Sequence, residues 1–247
     1  TMVASLFLKV PQEVFDAKVK DMYPRVGKEL GNVPIEVRND GDVTALAGAL
    51  ALQDTNILGI AMGTSEAVGY VDCDGFITGW LNELSFMPVD YHPAAMVDEW
   101  SGDYGCGVKY FSQDAVIKLA PAAGIDLDEN LTPAEKLTVV QNLLEEGHEG
   151  AQKIFESIGT YLGYGVAHYA DFYDIKHLLI LGRVTSGRGG MLILEKARAV
   201  VNADFPELSE IEFHLPDESD RRVLLNARKS SFRSNRQGAP RGELVWC

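Results

Sequence analysis

The residues between 57 and 78 form three short apolar segments that lie too close together to be separate helices. The segments are Ile57 to Met62, Ala67 to Asp72 and Phe76 to Thr78, and they are separated by Gly63-Thr64-Ser65 and by the turn sequence Asp72-Cys73-Asp74-Gly75. Apolar runs of this length between glycine-containing turns are typical of neighbouring strands joined by hairpins. We therefore predict an antiparallel meander as the simplest account of these segments.

Helical patterns and two further apolar strands follow the meander. Thr132-Pro133-Ala134-Glu135 is a capping box with proline at the first helical position, which indicates the start of a helix. His177 to Leu181 is a continuous apolar segment, as is typical of a strand buried on both faces. The other expected elements are helices from Ser112 to about Leu119, from roughly Glu149 to Tyr173 and over 190–202, and a strand over 211–215. The predicted fold class is α/β, an antiparallel meander plus parallel strands flanked by helices.

Two helices and a short strand are predicted before the meander. The apolar spacing from Pro11 to Leu30 indicates a surface helix, which an internal proline would kink or shorten. Residues 33–38 alternate like a strand, and Val43 to Leu52 form an alanine-rich helix for which Asp42 is the expected cap. Asp40 would then lie between strand and helix, where backbone N–H groups favour an anion. Two interpretations stay open: Asp40 accepts a hydroxyl proton, or these acidic residues only cap the helix.

Glycine-rich turns follow two of the predicted strands. Gly63-Thr64-Ser65 joins the first two strands, and a glycine at its start lets backbone amides and a hydroxyl approach phosphate oxygens. An ordinary hairpin is the other interpretation. Gly182 and the run Ser186-Gly187-Arg188-Gly189-Gly190 follow the strand 177–181, at the strand end where α/β sheets bind ligands. A ligand-binding loop and a plain connection both remain open there.

Taken in order, these motifs resemble the ROK family of bacterial sugar kinases and repressors. That family belongs to the actin-like ATPase superfamily, whose halves have an RNase H-like fold. No single motif is specific, but the ordered set extends from about Ile35 to Leu194. The residues that carry the resemblance are Val37 to Leu46, Gly59 to Thr64 with Gly69 and Gly75, Asn82-Glu83-Leu84, Gly105-Cys106-Gly107, Gly159 to Ala170 and Leu178 to Arg183.

The resemblance implies an ATP-dependent phosphorylation of a hexose hydroxyl, with ATP and Mg as cofactors. It assigns Asp40 the role of catalytic base toward the sugar hydroxyl. It assigns Asn39 and Glu83 contacts with the sugar, Gly63-Thr64 contacts with the nucleotide phosphates, and Gly182 a place on the adenosine side. These residues are the predicted site of a sugar kinase.

Four features depart from the ROK pattern. Ser85-Phe86 stands where the family has Gly-His, whose histidine contacts sugar and often helps to bind zinc. The family's cysteine cluster is reduced to Cys106, so we expect no zinc and no metal-ligand set. Glu66 lies where the phosphate turn is normally glycine-rich, and its carboxylate is expected to repel the β- and γ-phosphates. The Asp-x-Gly-x-Thr phosphate loop is not found in the sequence, so this chain by itself is expected to be a weak or inactive kinase.

The same departures leave a second class of function open, a non-catalytic sugar-sensing or scaffold module with the same fold. The chain is predicted to have three parts: a remnant of an amino-terminal lobe over 1–42, a carboxy-terminal RNase H-like lobe of the ATPase type over 43–220, and a basic tail over 221–247. The tail carries seven basic residues and one acid. It is either a basic interaction arm or an unstructured, non-native end.

Charge, apolar run length and cysteine content indicate which partners and which cellular compartment to expect. A net charge of −14 would repel a phosphate backbone, so no nucleic-acid partner is expected. The longest apolar runs are about half the ~20 residues of a membrane span, and no basic and apolar leader opens the sequence, so no membrane partner is expected. Three widely spaced cysteines fit a reducing cytoplasm. The expected partners are a small-molecule sugar and a second copy of the chain, through aromatic residues expected at the surface, namely Tyr91, Trp100, Tyr104, Tyr110 and Phe111.

Overall fold

The computed structural model describes residues 10–33, 39–77 and 83–216. Its contacts divide the chain into two units, Thr1–Arg38 with Arg222–Cys247, and Asn39–Arg221. The predicted strand over 33–38, except for its first residue, and the whole predicted tail over 221–247 lie outside the described residues, as does Asn82. The division into parts 1–42, 43–220 and 221–247 therefore stays a prediction.

The first unit contains three short helical segments where the sequence predicts one kinked helix. They are α1 (Gln12–Val14), a π-helical segment over Phe15–Val19, and α2 (Met22–Glu29). The break lies at Asp21, whose φ of −111° and ψ of 25° are not helical. Pro24 falls in the first turn of α2, where its missing N–H costs no hydrogen bond, so the proline does not itself break the helix.

The second unit contains a four-stranded sheet with helices on its faces. The strands are β1 (Ile57–Met62), β2 (Glu66–Val71), β3 (His177–Leu181) and β4 (Glu212–His214), and the helices are α3 (Asp40–Leu52), α4 (Gln113–Leu119), α5 (Pro133–Glu145), α6 (Glu149–Ala170) and α7 (Arg188–Asp204). The strand order is β2-β1-β3-β4, with β1 antiparallel to β2 and parallel to β3, and β3 parallel to β4. The predicted α/β fold is confirmed.

The two faces of the sheet pack against different layers because successive side chains of a strand point to opposite sides. Leu58 and Ile60 of β1 and Ile180 of β3 belong to the large core, which also contains buried residues of α4, α5, α6 and α7. Ile57 and Leu179 belong to a smaller cluster with apolar residues of α3. The sheet therefore lies between α3 on one face and the other helices of the second unit on the opposite face.

The predicted meander is confirmed as the hairpin of β1 and β2, but its third strand is wrong for the described residues. Ile77 forms a single isolated bridge with Val71, and Thr78 lies outside the described part of the chain. The Asp72 carboxylate accepts the N–H groups of Asp74 and Phe76, at 3.1 and 2.8 Å. These bonds hold the turn that brings Ile77 back beside Val71, so the pairing within the described residues is limited to this one bridge.

The helix starts depend on capping side chains, and one predicted cap is wrong. Thr132 and Glu135 form the predicted capping box of α5, and Ser112 caps α4. The helix predicted from Val43 begins three residues earlier, at Asp40, because Asn39 rather than Asp42 is the cap. The Asn39 side chain accepts the Gly41 N–H at 2.8 Å. Asparagine caps helices as well as aspartate does, so propensity alone does not separate the two.

Within the described residues, no helix is both long enough and apolar enough to cross a bilayer.

Candidate functional site

The turn between β1 and β2 is exposed and fixed by backbone hydrogen bonds. The Gly63 N–H donates to the Ser65 carbonyl at 3.0 Å, and the Gly63 carbonyl accepts the Gln113 N–H of α4 at 2.9 Å. Thr64 and Ser65 are exposed. A Cβ placed on Gly63 would approach only the Ser65 carbonyl, at 3.9 Å, so open space surrounds this glycine. The turn can therefore present the Thr64 hydroxyl to an anionic ligand.

Gly182 lies directly beside the end of β1. Its φ is +119°, and a Cβ at this position would lie 2.2 Å from the Met62 carbonyl oxygen, so only glycine fits. The same carbonyl accepts the Val184 N–H at 3.2 Å. Because β1 and β3 are parallel, both strands end at one edge of the sheet. The structure thus brings the two predicted nucleotide elements, Gly63-Thr64 and Gly182, together at that edge.

The amino end of α3 points to the same edge, because glycines let the helix backbone touch the sheet. A Cβ on Gly69 would lie 2.3 Å from the backbone of Gly41, and a Cβ on Gly59 would lie 2.5 Å from the Ala45 nitrogen. Farther along the helix, Gly48 faces Ile57, the first residue of β1. The helix therefore runs antiparallel to β1. Its first residue, Asp40, lies toward the end of β1 that carries the Gly63-Thr64 turn.

The two predicted sugar contacts differ in their surroundings. Asn39 is exposed, and its side-chain oxygen already accepts a hydrogen bond as the helix cap. Glu83 is exposed and precedes a 3-10 turn, Leu84–Phe86, that packs against β2. Ser85 is buried, and the Phe86 ring packs on Trp100 with centroids 5.5 Å apart. The roles of Asn39, Asp40 and Glu83 toward a sugar stay predictions.

Hydrogen bonds to the Asp90 carboxylate fix the segment from 83 to 111. The Tyr110 and Tyr161 hydroxyls donate to its carboxylate at 2.5 and 3.2 Å, and the Met96 N–H donates to the Tyr110 oxygen at 3.0 Å. Two of the aromatic residues expected at the surface, Tyr110 and Phe111, are instead buried. Their hydrophobic rings are needed in the large core, which the sequence spacing did not reveal.

The cysteine of this segment is also buried. Cys106 has no exposed side-chain surface, and burial raises the pKa of its thiol to about 11. A thiol rather than a thiolate is present at neutral pH, and thiolates are the form that binds metals.

The Glu66 side chain points into the core and not toward the Gly63-Thr64 turn, which corrects the expectation that its carboxylate repels phosphates there. It is the first residue of β2, and strand alternation places it on the core face with Val68 and Tyr70. The Tyr169 hydroxyl donates to its Oε1 at 3.2 Å, and its Oε2 is buried with no hydrogen-bond partner among the described residues. Burial raises the pKa of Glu66 well above its ordinary value of 4.5. The side chain is therefore directed into the core, where burial favours its protonated form.

The buried acid makes stability depend on pH. Because the pKa of Glu66 is raised in the folded state, its contribution is fully present below about pH 4.5 and is lost as pH rises toward the folded value. We expect Glu66→Gln to raise the free energy of unfolding at pH 7 and to remove a slope of up to about 1.4 kcal/mol per pH unit above pH 4.5. Urea unfolding at several pH values measures both effects. The exposed Glu210→Gln is the control, and identical slopes in wild type and Glu66→Gln would contradict the assignment.

No protein-family profile matches this sequence, and neither does any curated protein. Solved structures do match. A ROK family glucokinase from Streptomyces griseus, solved with glucose and AMPPNP, is 18% identical with a TM-score of 0.61, over 78% of this chain and 66% of that chain. A ROK hexokinase from Thermus thermophilus is 20% identical with a TM-score of 0.61, over 82% of this chain and 66% of that one. A ROK family transcriptional regulator, a homolog of the E. coli MLC protein, is 18% identical with a TM-score of 0.62, over 78% of this chain and 50% of the regulator.

These similarities establish the fold. The chain shares the fold of these ROK proteins, so the resemblance carried by the sequence motifs is confirmed at the level of the fold. The chain spans about two thirds of the two kinases and half of the regulator.

Proposed function

We propose that this chain is the sugar- and nucleotide-binding part of a ROK-type sugar kinase, which transfers a phosphoryl group from ATP to a hexose hydroxyl. One observation supports the proposal: Gly63-Thr64 and Gly182 lie at one edge of the sheet, and the amino end of α3, with Asp40 as its first residue, is directed toward that edge. Ligands of open α/β sheets bind at this edge. The glucokinase from Streptomyces griseus that shares the fold was solved with glucose and AMPPNP, which supports a sugar and a nucleotide as ligands.

The residues present fit a nucleotide. Among the described residues, only the Ser65 carbonyl lies within 4 Å of a Cβ placed on Gly63, and the neighbouring Thr64 is exposed. Gly182 lets the chain after β3 pack directly beside the end of β1. When bound, ATP with Mg supplies the phosphoryl group and an ion that neutralises phosphate charge. In this proposal Thr64 donates its hydroxyl to a phosphate oxygen, Asp40 accepts the proton of the sugar hydroxyl, and Asn39 and Glu83 orient the sugar.

A second function, a non-catalytic sugar sensor or scaffold, is favoured by the environment of Ser85 and Phe86. Where ROK kinases have Gly-His, this chain has a buried serine and a phenylalanine packed on Trp100. Neither side chain can do what a histidine does, which is to hydrogen-bond a sugar and also to coordinate a metal ion. A ROK regulator shares the fold, which supports a role without phosphoryl transfer. Sugar binding without turnover distinguishes this function from that of a kinase.

The remaining partner proposals rest on surface chemistry. Tyr91, Trp100 and Tyr104 are exposed, at 77%, 62% and 68%, and such large apolar surfaces support a homodimer. Light scattering at micromolar concentration decides between dimer and monomer. The charge of −14 supports the absence of a nucleic-acid partner, and the two cysteines within the described residues, Cys73 and Cys106, are free thiols, which supports a cytoplasmic location.

Calorimetric titration tests the nucleotide site directly. We expect saturable binding of AMPPNP with Mg, and we expect Thr64→Val to weaken it about 10- to 100-fold, because a hydrogen bond to a charged group contributes about 1.5–3 kcal/mol. Thr138→Val on α5 is the matched control, since it removes an exposed hydroxyl that bonds only within its own helix. Glucose and N-acetylmannosamine are titrated separately. Equal affinity of wild type and Thr64→Val for AMPPNP would contradict the proposed site.

A further inference from the structure

Three metal-ligating side chains meet at the edge of the sheet opposite the Gly63-Thr64 turn. His177 begins β3, and Glu212 and His214 lie on the neighbouring strand β4, which pairs with β3 in parallel. His177 Nδ1 is 3.0 Å from His214 Nε2, and the Glu212 Oε2 is 3.7 Å from each of these nitrogens. We propose that His177, Glu212 and His214 bind a divalent transition-metal ion of the zinc type.

The spacing of the three atoms matches a metal-ligand triangle. A tetrahedral zinc ion with ligands at about 2.0–2.1 Å keeps neighbouring ligand atoms about 3.3 Å apart. The observed separations of 3.0 and 3.7 Å lie on either side of that value, so small side-chain rotations bring all three atoms into range. Two imidazoles with one carboxylate leave a fourth position for water. Nitrogen ligands disfavour calcium and magnesium, which prefer oxygen.

Asp54 provides the outer partner that metal-binding histidines normally have. Its Oδ2 lies 3.1 Å from His177 Nε2, the ring nitrogen that faces away from the cluster. When the Nε2–H donates to this carboxylate, the Nδ1 lone pair is directed at His214 and Glu212, which is the tautomer that binds a metal. Lys176 forms an ion pair with the same carboxylate and holds it in place. Asp54 is therefore a positioning residue for His177.

An ion can reach the cluster from solvent. Glu212 is 61% exposed at its side chain and lines an open cleft together with Lys176. The nearby cations are engaged elsewhere, since Lys176 pairs with Asp54 and the Arg198 guanidinium donates to the Phe213 carbonyl at 3.3 Å. A bound ion would join β4 to β3 and, through Asp54, to the segment before β1.

This proposal goes beyond the sugar-kinase site and differs from the metal expectation drawn from the sequence. That expectation concerned the ROK cysteine cluster, of which only Cys106 is present. His177 and Glu212 begin β3 and β4, and His214 pairs with Leu179 in the middle of β3, whereas the Gly63-Thr64 turn and Gly182 lie at the carboxyl ends of β1 and β3. Binding of zinc can therefore succeed or fail independently of nucleotide binding.

The test is a titration of untagged, metal-free protein with zinc chloride in competition with a chromophoric chelator. We expect one ion per chain, at least tenfold weaker binding in Glu212→Gln and in His214→Gln, and a 10- to 100-fold loss in Asp54→Asn. Glu212 is exposed, so its variant tests the ligand without disturbing the core. Glu210→Gln is the control for loss of a nearby carboxylate, and Cys73→Ser excludes binding at the exposed thiol.

A second readout identifies the ligands. Cobalt added in place of zinc is expected to give a visible absorption band of tetrahedral type in wild type, and this band is expected to disappear in His214→Gln. His168→Gln, a histidine of α6 outside the cluster, should keep the band. Zinc affinity that is equal in wild type, Glu212→Gln and His214→Gln would overturn the proposal. The 3.0 Å contact would then be only a hydrogen bond between the two imidazole rings.

Discussion

Replacing Asp40 with asparagine is expected to lower the rate of sugar-dependent ADP formation by about 10²- to 10⁴-fold, the usual contribution of a general base. Asparagine has nearly the same shape as aspartate, but its amide cannot accept a proton from the sugar hydroxyl at neutral pH. Asp40 is the first residue of α3, where the helix dipole stabilises an anion. Binding of AMPPNP should be unchanged, because Gly63-Thr64 and Gly182 are not altered.

A coupled assay of ADP release with glucose and N-acetylmannosamine measures this effect. Asp74→Asn, in the exposed turn after β2, is the matched control and should keep the wild-type rate. If Asp40→Asn turns over as fast as wild type, Asp40 is not the base. If wild type binds glucose or N-acetylmannosamine but forms no ADP with either sugar, the sensor or scaffold function replaces that of a kinase.

Local sequence patterns predicted the fold well where all the residues that determine an element lie in one short segment. The capping box of Thr132 and Glu135 lies within four residues, and it marks the start of α5 correctly. The hairpin of β1 and β2 is joined by a turn of three residues, so its pairing follows from the turn. The choice between Asn39 and Asp42 as the cap of α3 was not decided by propensity. It was decided by where Gly41 and Gly69 allow the helix to touch the sheet, which is a long-range contact.

In the candidate site, too, local patterns predict what one segment contains but not what long-range contacts bring together. The carboxyl edge of β1 and β3 could be predicted, because each strand is followed by glycine in the sequence. The direction of Glu66 could also have been found, since Val68 and Tyr70 follow it at the two-residue period of a core-facing strand side. The cluster of His177 and His214 could not. These residues are 37 positions apart, and only the register between β3 and β4 brings their rings together.

Gly69→Ala is expected to lower the free energy of unfolding by about 3 kcal/mol, the upper end of the usual cost of overpacking, because the added carbon has no space. It would lie 2.3 Å from the Asp42 nitrogen and from the Gly41 carbonyl carbon, which are backbone atoms that cannot rotate away. The helix α3 would have to move off the sheet. Alanine also has the better strand propensity, so any loss comes from this contact and not from the strand itself. Urea unfolding measures the change.

The same substitution links the packing of α3 to the site at its end. Moving α3 displaces Asp40 from the edge that carries Gly63-Thr64, and a misplacement of about 1 Å can cost about 10²-fold in rate. Sugar-dependent turnover should therefore fall in the fraction of Gly69→Ala that remains folded. Gly63→Ala is the stability control, since its added carbon meets only one atom, at 3.9 Å. Wild-type stability in Gly69→Ala would mean that α3 does not rest on β2 by direct backbone contact, and Asp40 would then lose its structural connection to the edge.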